Sequence, residues 1–362
     1  MQDTILKINL TNIIHNALVF KRQTNRFLYA VVKADAYGHG ALAVTNALYP
    51  VADGFAVALL SEALNIKLAA SGKEILVLTP PLAEDDVVTA AYNGFTLTAA
   101  DLKSANLIVQ TVEKYGLTVN VQVKVNTGMN RYGVYGSMLG KVCSLLKRTG
   151  QVRVCGVYSH LYSRRKELCE KQRFRFVRAV KICRTYFPLV RAHFASTFGA
   201  TLGEEYLFDG VRIGLGLYGY FPEGEPPIGL LPAMSAYAVC VASRKCLFGG
   251  LGYGDERSDC FQETFSVLRG GYADGFGLSA ERSGLNPVLI GNFCMDACLA
   301  KHAKKAGQWV CLFTDARTLA KERNTSVYEV LCLLGLRAKR IYENYETGNR
   351  PRSYYGKNKR GF

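Results

Sequence analysis

The sequence contains no run approaching the roughly 18 apolar residues of a membrane-spanning helix, which excludes a helical transmembrane protein. Its amino terminus, MQDTILKINL, lacks the basic stretch, apolar run and small-residue cleavage site of a secretory signal, so a cytoplasmic location is expected. No low-complexity tract interrupts the 362 residues. With 49% hydrophobic and 20% charged residues, global disorder is excluded. No CxxC pair occurs among the eleven cysteines. The tightest spacing, Cys294 and Cys298, has no companion pair or histidine cluster near it in sequence, so no metal site is expected. Free, mostly buried thiols in a reducing compartment fit better than a disulfide framework, which a chain this long does not need.

Acidic residues are scarce as well: 29 Asp and Glu stand against 45 Lys and Arg, for a net charge of +16. The excess is uneven. Nine basic residues between Arg164 and Arg184 face only Glu167 and Glu170, and eight from Arg337 to the end face only Glu343 and Glu346. Such segments can contact phosphates through charge. No recognised nucleic-acid motif accompanies them, so a solvated helix face and a frayed tail are expected rather than nucleic-acid binding.

What is present is a recurring pattern. Eight short apolar runs, each followed by a segment of helical spacing, end at or near Lys33, Ala58, Leu78, Thr98, Val125, Tyr158, Phe194 and Gly214. They are rich in β-branched residues and lack polar alternation, as parallel strands covered on both faces do. Eight strand-helix units over about 220 residues predict a closed (β/α)8 barrel. Ser61 is a plausible cap for the helix that follows the second run. At residues 221 to 227 the string FPEGEPP marks a linker. Beyond it, Tyr237, Val239 and Val241 alternate as exposed strands do, and glycines punctuate short segments. The expected organisation is therefore an α/β barrel over residues 1–225 and a second, mainly β domain over 226–362, with a poorly ordered end from about 345.

A barrel's active site lies at the carboxyl ends of its strands, so residues just after each apolar run are the informative ones. The first run, Leu28 to Val32, delivers Lys33 there. Desolvation lowers an amine's pKa and favours the neutral nucleophile that condenses with a carbonyl. A salt-bridge lysine is the alternative. Other candidates at strand ends are His160, the Ser196–Thr197 pair and Arg212, whose competing reading is a salt bridge with Asp209.

The string VVKADAYGHG around Lys33 resembles the signature at the pyridoxal 5′-phosphate lysine of the alanine racemase family. Further similar strings follow in the family's order: KVNTGMNRYG at 124–133, GVYSHLYS at 156–163, HFASTFGA at 193–200, VRIGLGLYG at 211–219, LGYG at 251–254, GGYADGFG at 270–277, CMD at 294–296 and VYEVL at 327–331. They span nearly the whole chain.

The resemblance implies a homodimer of barrel-plus-β-domain subunits, each active site completed by the partner's β-domain. It implies that Lys33 holds the cofactor and acts as one base while Tyr253 acts as the opposing base. Racemisation removes the α-proton from one face and returns one to the other, so two acid-base groups must flank a planar centre. A phenol, with its usual pKa of about 10, needs a cation or hydrogen bond to serve as a base, and His160 matches the family's histidine beside this site. Arg212 corresponds to the partner of the cofactor's ring nitrogen; Ser196, Thr197 and the backbone at Gly214 and Leu215, with Tyr37 and Tyr328, correspond to the phosphate site. Arg131 corresponds to the holder of the substrate carboxylate, and Lys124 to a position often carbamylated to orient that arginine. Tyr272 and Met295 resemble residues that keep the substrate pocket small.

The implied activity is interconversion of L- and D-alanine, supplying D-alanine for peptidoglycan. Serine is the alternative substrate, and Tyr328 argues against it because serine racemases of this type carry a smaller polar residue there. A non-catalytic cofactor-binding protein is the remaining alternative. Three departures stand out: Asp35 replaces the usual Asn and is expected to raise the pKa of Lys33, VRIG lacks the usual following Pro, and RAKR at 337–340 replaces RVPR.

Overall fold

The computed structural model describes residues 4–222, 228–253, 262–276, 289–334 and 337–343. A first strand, β1 (Thr4–Asn9), precedes the barrel. The eight apolar runs then form β2 (Phe27–Val31), β3 (Gly54–Val57), β4 (Glu74–Val77), β5 (Thr96–Ala99), β6 (Val119–Lys124), β7 (Val152–Tyr158), β8 (Arg191–His193) and β9 (Gly210–Ile213). They pair in parallel in chain order, and β9 closes on β2 through Leu28 beside Val211 and Tyr29 beside Arg212. All four residues of β3 and of β5 are buried, as expected when helices cover the outer face and side chains fill the interior.

The connecting helices are set by local signals. Asn9 caps Leu10–Thr24 by accepting the Asn12 N–H at 3.0 Å, and Asn25 ends that helix in the left-handed conformation. Asp101 caps Leu102–Tyr115 in the same way through Ser104. Ser61 is not the cap expected of it. The helix Leu60–Ile66 starts two residues earlier than a Ser61 cap would place it, with Leu59 at the cap position, and the longer Glu62 side chain reaches back to accept the N–H groups of Ala58 at 2.7 Å and Leu59 at 3.0 Å.

The second unit is a mixed sheet of β10 (Met234–Lys245), β11 (Thr264–Arg269), β12 (Leu289–Ile290), β13 (Ala297–Lys301), β14 (Trp309–Phe313) and β15 (Lys339–Glu343). Its order is β12-β13-β11-β10-β1-β15, with β14 also on β10. On β10, Met234, Ala236, Ala238 and Cys240 are buried while Tyr237, Val239 and Val241 face the more exposed side, the alternation read from the sequence.

The expected start of the barrel domain at residue 1 needs correction: β1 sits in this second sheet, antiparallel to β10 and parallel to β15. Leu6 and Ile8 are fully buried there, which together with the pairing to β10 and β15 holds the segment in this sheet. The expected boundary at 225/226 and the tail from 344 onward lie outside the described residues. Two helices, Ala316–Glu322 and Val327–Leu334, accompany the sheet; the second buries Val330, Leu331 and Leu334 and carries Tyr328 toward the barrel mouth.

Candidate active site

A cavity of about 530 Å³ opens at the carboxyl ends of the barrel strands. Eleven of the residues singled out from the sequence line it: Lys33, Tyr37, Lys124, Arg131, His160, Ser196, Thr197, Arg212, Gly214, Leu215 and Tyr328. Its walls hold four cationic side chains, and none of the lining residues is a carboxylate. That charge balance suits a ligand bearing several negative charges. A larger hollow, about 890 Å³, lies at the opposite end of the barrel. It lacks a free lysine nucleophile, because the Lys73 ammonium there is engaged by the carbonyls of Tyr49 and Ala52.

Lys33 follows β2 after one intervening residue, Val32, and leads into a short left-handed turn. Ala34, Asp35, Ala36 and Tyr37 have φ between 51° and 55°, a conformation that costs roughly 1–2 kcal/mol per non-glycine residue. The surrounding side chains hold it. Glu62 accepts the Ala34 N–H at 2.6 Å, Asp35 accepts the Ala41 N–H at 2.6 Å, and Arg340 of β15 pairs with Asp35 at 2.6 Å while donating to the Gly38 carbonyl at 2.7 Å. Strain at such a place fixes where the lysine points. Burial, then the charge of Arg131, lowers the pKa of Lys33. The expected raising by Asp35 does not occur, because Asp35 is committed to Arg340 and to a backbone amide.

Lys124 ends β6 almost fully buried, between the rings of Tyr132 and Tyr158 at 5.4 and 5.2 Å. Burial and the charges of Arg212, Arg131 and Lys33 bring its pKa down to about 7, so much of it is neutral amine at physiological pH. Arg212 is buried on β9 and donates to Nδ1 of His193 at 2.6 Å and to the Ser159 carbonyl at 2.5 Å. It makes no pair with Asp209, which instead binds Arg184 at 2.7 Å. Burial lowers its pKa to about 10, which leaves it protonated at neutral pH. His160 is 3.4 Å from Arg212, and burial with the four nearby cations holds its pKa well below the usual range. It is therefore neutral and can support a phenol through a hydrogen bond, not through charge.

The opposite side of the cavity is shaped for close approach. A Cβ added at Gly214 would meet the Tyr37 hydroxyl at 2.6 Å, so a side chain there would have to displace the buried Tyr37 ring. The Thr197 hydroxyl accepts the Gly216 N–H at 3.0 Å, fixing the loop after β8 against the turn after β9. Tyr37 stands 4.9 Å from the ring of Tyr218 and 6.0 Å from that of Tyr328, and burial pushes its phenol upward in pKa.

Tyr253, Tyr272 and Met295 are not among the lining residues of this cavity. They lie on the second unit, 71%, 37% and 53% exposed. Hydrogen bonds join their segments: Asn292 donates to the Tyr253 carbonyl, and the N–H of Ala273 to that of Met295. Arg337 ties the same loops together through Asp274 at 2.6 Å and Asp296 at 2.8 Å.

Comparison with known proteins decides what this arrangement belongs to. The family model described as "Alanine racemase, N-terminal domain" matches residues 8–222, and "Alanine racemase, C-terminal domain" matches 237–342. The chain belongs to the alanine racemase family. The alanine racemase of Desulfovibrio desulfuricans is 30% identical over 362 residues, covering 93% of this chain and 97% of the relative. The biosynthetic alanine racemase of Pseudomonas aeruginosa superposes with a TM-score of 0.84 at 26% identity, covering 95% of this chain and all of that one. The alanine racemase of Bartonella henselae, with covalently bound pyridoxal phosphate, gives 0.82 at 26% identity, with 95% and 100% coverage. The closed barrel and separate sheet are thus the architecture of this family.

Several lining residues escaped the sequence reading. Tyr158 and Leu78 sit at carboxyl ends of β7 and β4, and the strand-end rule applied evenly would have found them. Tyr132 left no such signal, since it reaches the cavity from a turn after β6.

Proposed function

We propose that this site interconverts L- and D-alanine by moving a proton between the two faces of the substrate's α-carbon, with pyridoxal 5′-phosphate as cofactor. The observation that carries the reading is the meeting of a desolvated lysine amine with three other basic side chains and no carboxylate in one cavity. Those residues fit the cofactor chemically. Lys33 offers an amine disposed toward its neutral form for covalent attachment, and the Ser196 and Thr197 hydroxyls with the backbone at Gly214 and Leu215 offer a phosphate cradle beside Tyr37 and Tyr328.

When bound, the cofactor supplies an electron sink for the pair left on the α-carbon. The chain's own residues do the rest. The Lys33 Nζ takes or returns a proton on one face. The Tyr253 hydroxyl, supplied by a second copy of the chain in a homodimer, does so on the other, the reading favoured by its exposure and by its not lining this chain's own cavity. Tyr272 and Met295 enter with it and keep the substrate pocket small. Neutral His160 offers the tyrosine a hydrogen bond. Arg131 holds the substrate carboxylate, and Lys124 reacts with carbon dioxide to give a carbamate that orients Arg131, replacing a repulsion between cations by a paired contact. Arg212, protonated at neutral pH and able only to donate, would hold the cofactor's ring nitrogen as a hydrogen-bond donor, a partner that would disfavour protonation there and restrain side reactions.

Tyr328 at the cavity wall supports alanine over serine, since a bulky ring there disfavours an extra hydroxymethyl group. D-Alanine for peptidoglycan, made in the cytoplasm, is the corresponding role. No helix among the described residues is long and apolar enough to cross a membrane. A conversion assay on alanine and serine, with and without added cofactor, tests the reading. Turnover of L- to D-alanine, with borohydride fixing the cofactor on Lys33, is expected; label on another residue, or a preference for serine, would overturn it.

A further inference from the structure

The interior of the barrel below Arg212 is polar, and its hydrogen bonds run in one direction. Arg212 only donates, so His193 Nδ1, which it contacts at 2.6 Å, carries no proton. Burial with the charges of Arg212 and Arg191 keeps His193 neutral, so its proton lies on Nε2 and is donated to Oε1 of Gln122 at 2.5 Å. That fixes the Gln122 amide. Its Nε2 then donates to Tyr29 Oη at 2.9 Å and to Glu74 Oε1 at 2.7 Å. Tyr29 also accepts from Arg191 at 2.9 Å, so its own proton goes to Glu74 Oε2 at 2.8 Å. From Arg212 through His193, Gln122 and Tyr29, each donor points away from the active site and toward one carboxylate at the amino end of β4, which Arg191 also pairs with at 3.2 Å.

The chain is built into the barrel. His193 stacks on Tyr158 at 5.1 Å and 9° and leans on Tyr29 at 4.8 Å. A Cβ at Gly156 would meet Gln122 Cδ at 2.6 Å, so the amide occupies space that only a glycine on β7 leaves open. A buried network satisfied at both ends by charged groups has a single proton arrangement.

We propose that Glu74 is a positioning residue for Arg212, acting through Gln122 and His193 across the barrel. Without an obligate acceptor at Glu74, the Gln122 amide can rotate and present its NH2 group to His193. His193 must then move its proton to Nδ1, and Arg212 loses an acceptor. The inference deepens the functional reading above, in which Arg212 faces the reacting centre, and rests on it for its kinetic consequence alone.

The test is 15N NMR of the full chain with labelled histidine, His193 being assigned by its absence in H193Q, for wild type, E74Q, E74D and the chain-breaking isostere Q122M. Wild type is expected to show a pure, neutral Nε2–H tautomer at His193. E74Q is expected to show a mixture of tautomers and a kcat about tenfold lower, the usual scale for losing an outer-layer partner, with KM for alanine within about twofold. E74D is expected to restore the pure tautomer and most of kcat, and Q122M to lower kcat as E74Q does. A pure tautomer in E74Q, or an altered one with unchanged kcat in both E74Q and Q122M, overturns the proposal. If E74Q does not fold, an unchanged kcat in Q122M overturns it alone. A wild-type protein without racemase activity would sink the functional reading instead, leaving the tautomer in E74Q to decide the positioning claim.

Discussion

At the scale of single residues, burial decides more than neighbouring sequence. Lys124 has an ordinary pKa of 10.5 when exposed and about 7 in the fold. Between those values the unfolded chain binds a proton that the folded chain does not, so this residue's contribution to stability falls as pH drops from 10.5 to 7 and is level below. Replacing Lys124 by Met should therefore raise the melting temperature more at pH 7 than near pH 10.5, in buffer free of carbon dioxide. Equal shifts at both pH values would show that the amine is not desolvated. The same neutral fraction makes the lysine reactive toward carbon dioxide, and 13C-bicarbonate should label it increasingly as pH rises from 6 to 8; absence of a carbamate signal at any pH would remove that role. Lys33 and Arg212 were legible as strand-end residues of apolar runs. The true environment of Asp35 was not, because its partner Arg340 lies some 300 positions along the chain.

Elements show the same division between local and distant information. The eight barrel strands could be read because each is a short apolar run bounded by breaks, and the structure puts a strand on every one. The place of β1 could not be read, since pairing with β10 and β15 is a choice among distant partners. The left-handed turn after Lys33 was equally hidden: Ala34, Asp35, Ala36 and Tyr37 include no glycine, only Asp35 tolerates positive φ at all readily, and tertiary contacts impose it. Arg340→Met removes an ion pair and a hydrogen bond that grip this turn. We expect a loss of about 1–2 kcal/mol in denaturant unfolding, with Asp35→Asn losing less because it keeps the acceptor for Ala41. An Arg340→Met protein as stable as wild type would mean that the turn holds itself. On β7, Gly156→Ala forces a methyl against Gln122 and should cost about 1–3 kcal/mol in the same measurement; a neutral effect would show that the amide has room to move.

For the whole molecule, part of each basic segment is taken up by ion pairs where it is described. Arg173 pairs with Glu170, Arg184 with Asp209, Arg337 with Asp274 and Asp296, and Arg340 with Asp35. What remains to be joined is the cavity of one chain and the exposed Tyr253 of another, the central claim of the proposed function. It is tested by mixing K33A with Y253F, each inactive alone, under conditions where copies exchange. A hybrid dimer regains one complete site, made of Lys33 from one copy and Tyr253 from the other. The predicted result is recovery of about a quarter of the wild-type rate per chain after random exchange. A mixture that stays inactive while hybrid dimers are seen to form would contradict a site shared between two copies.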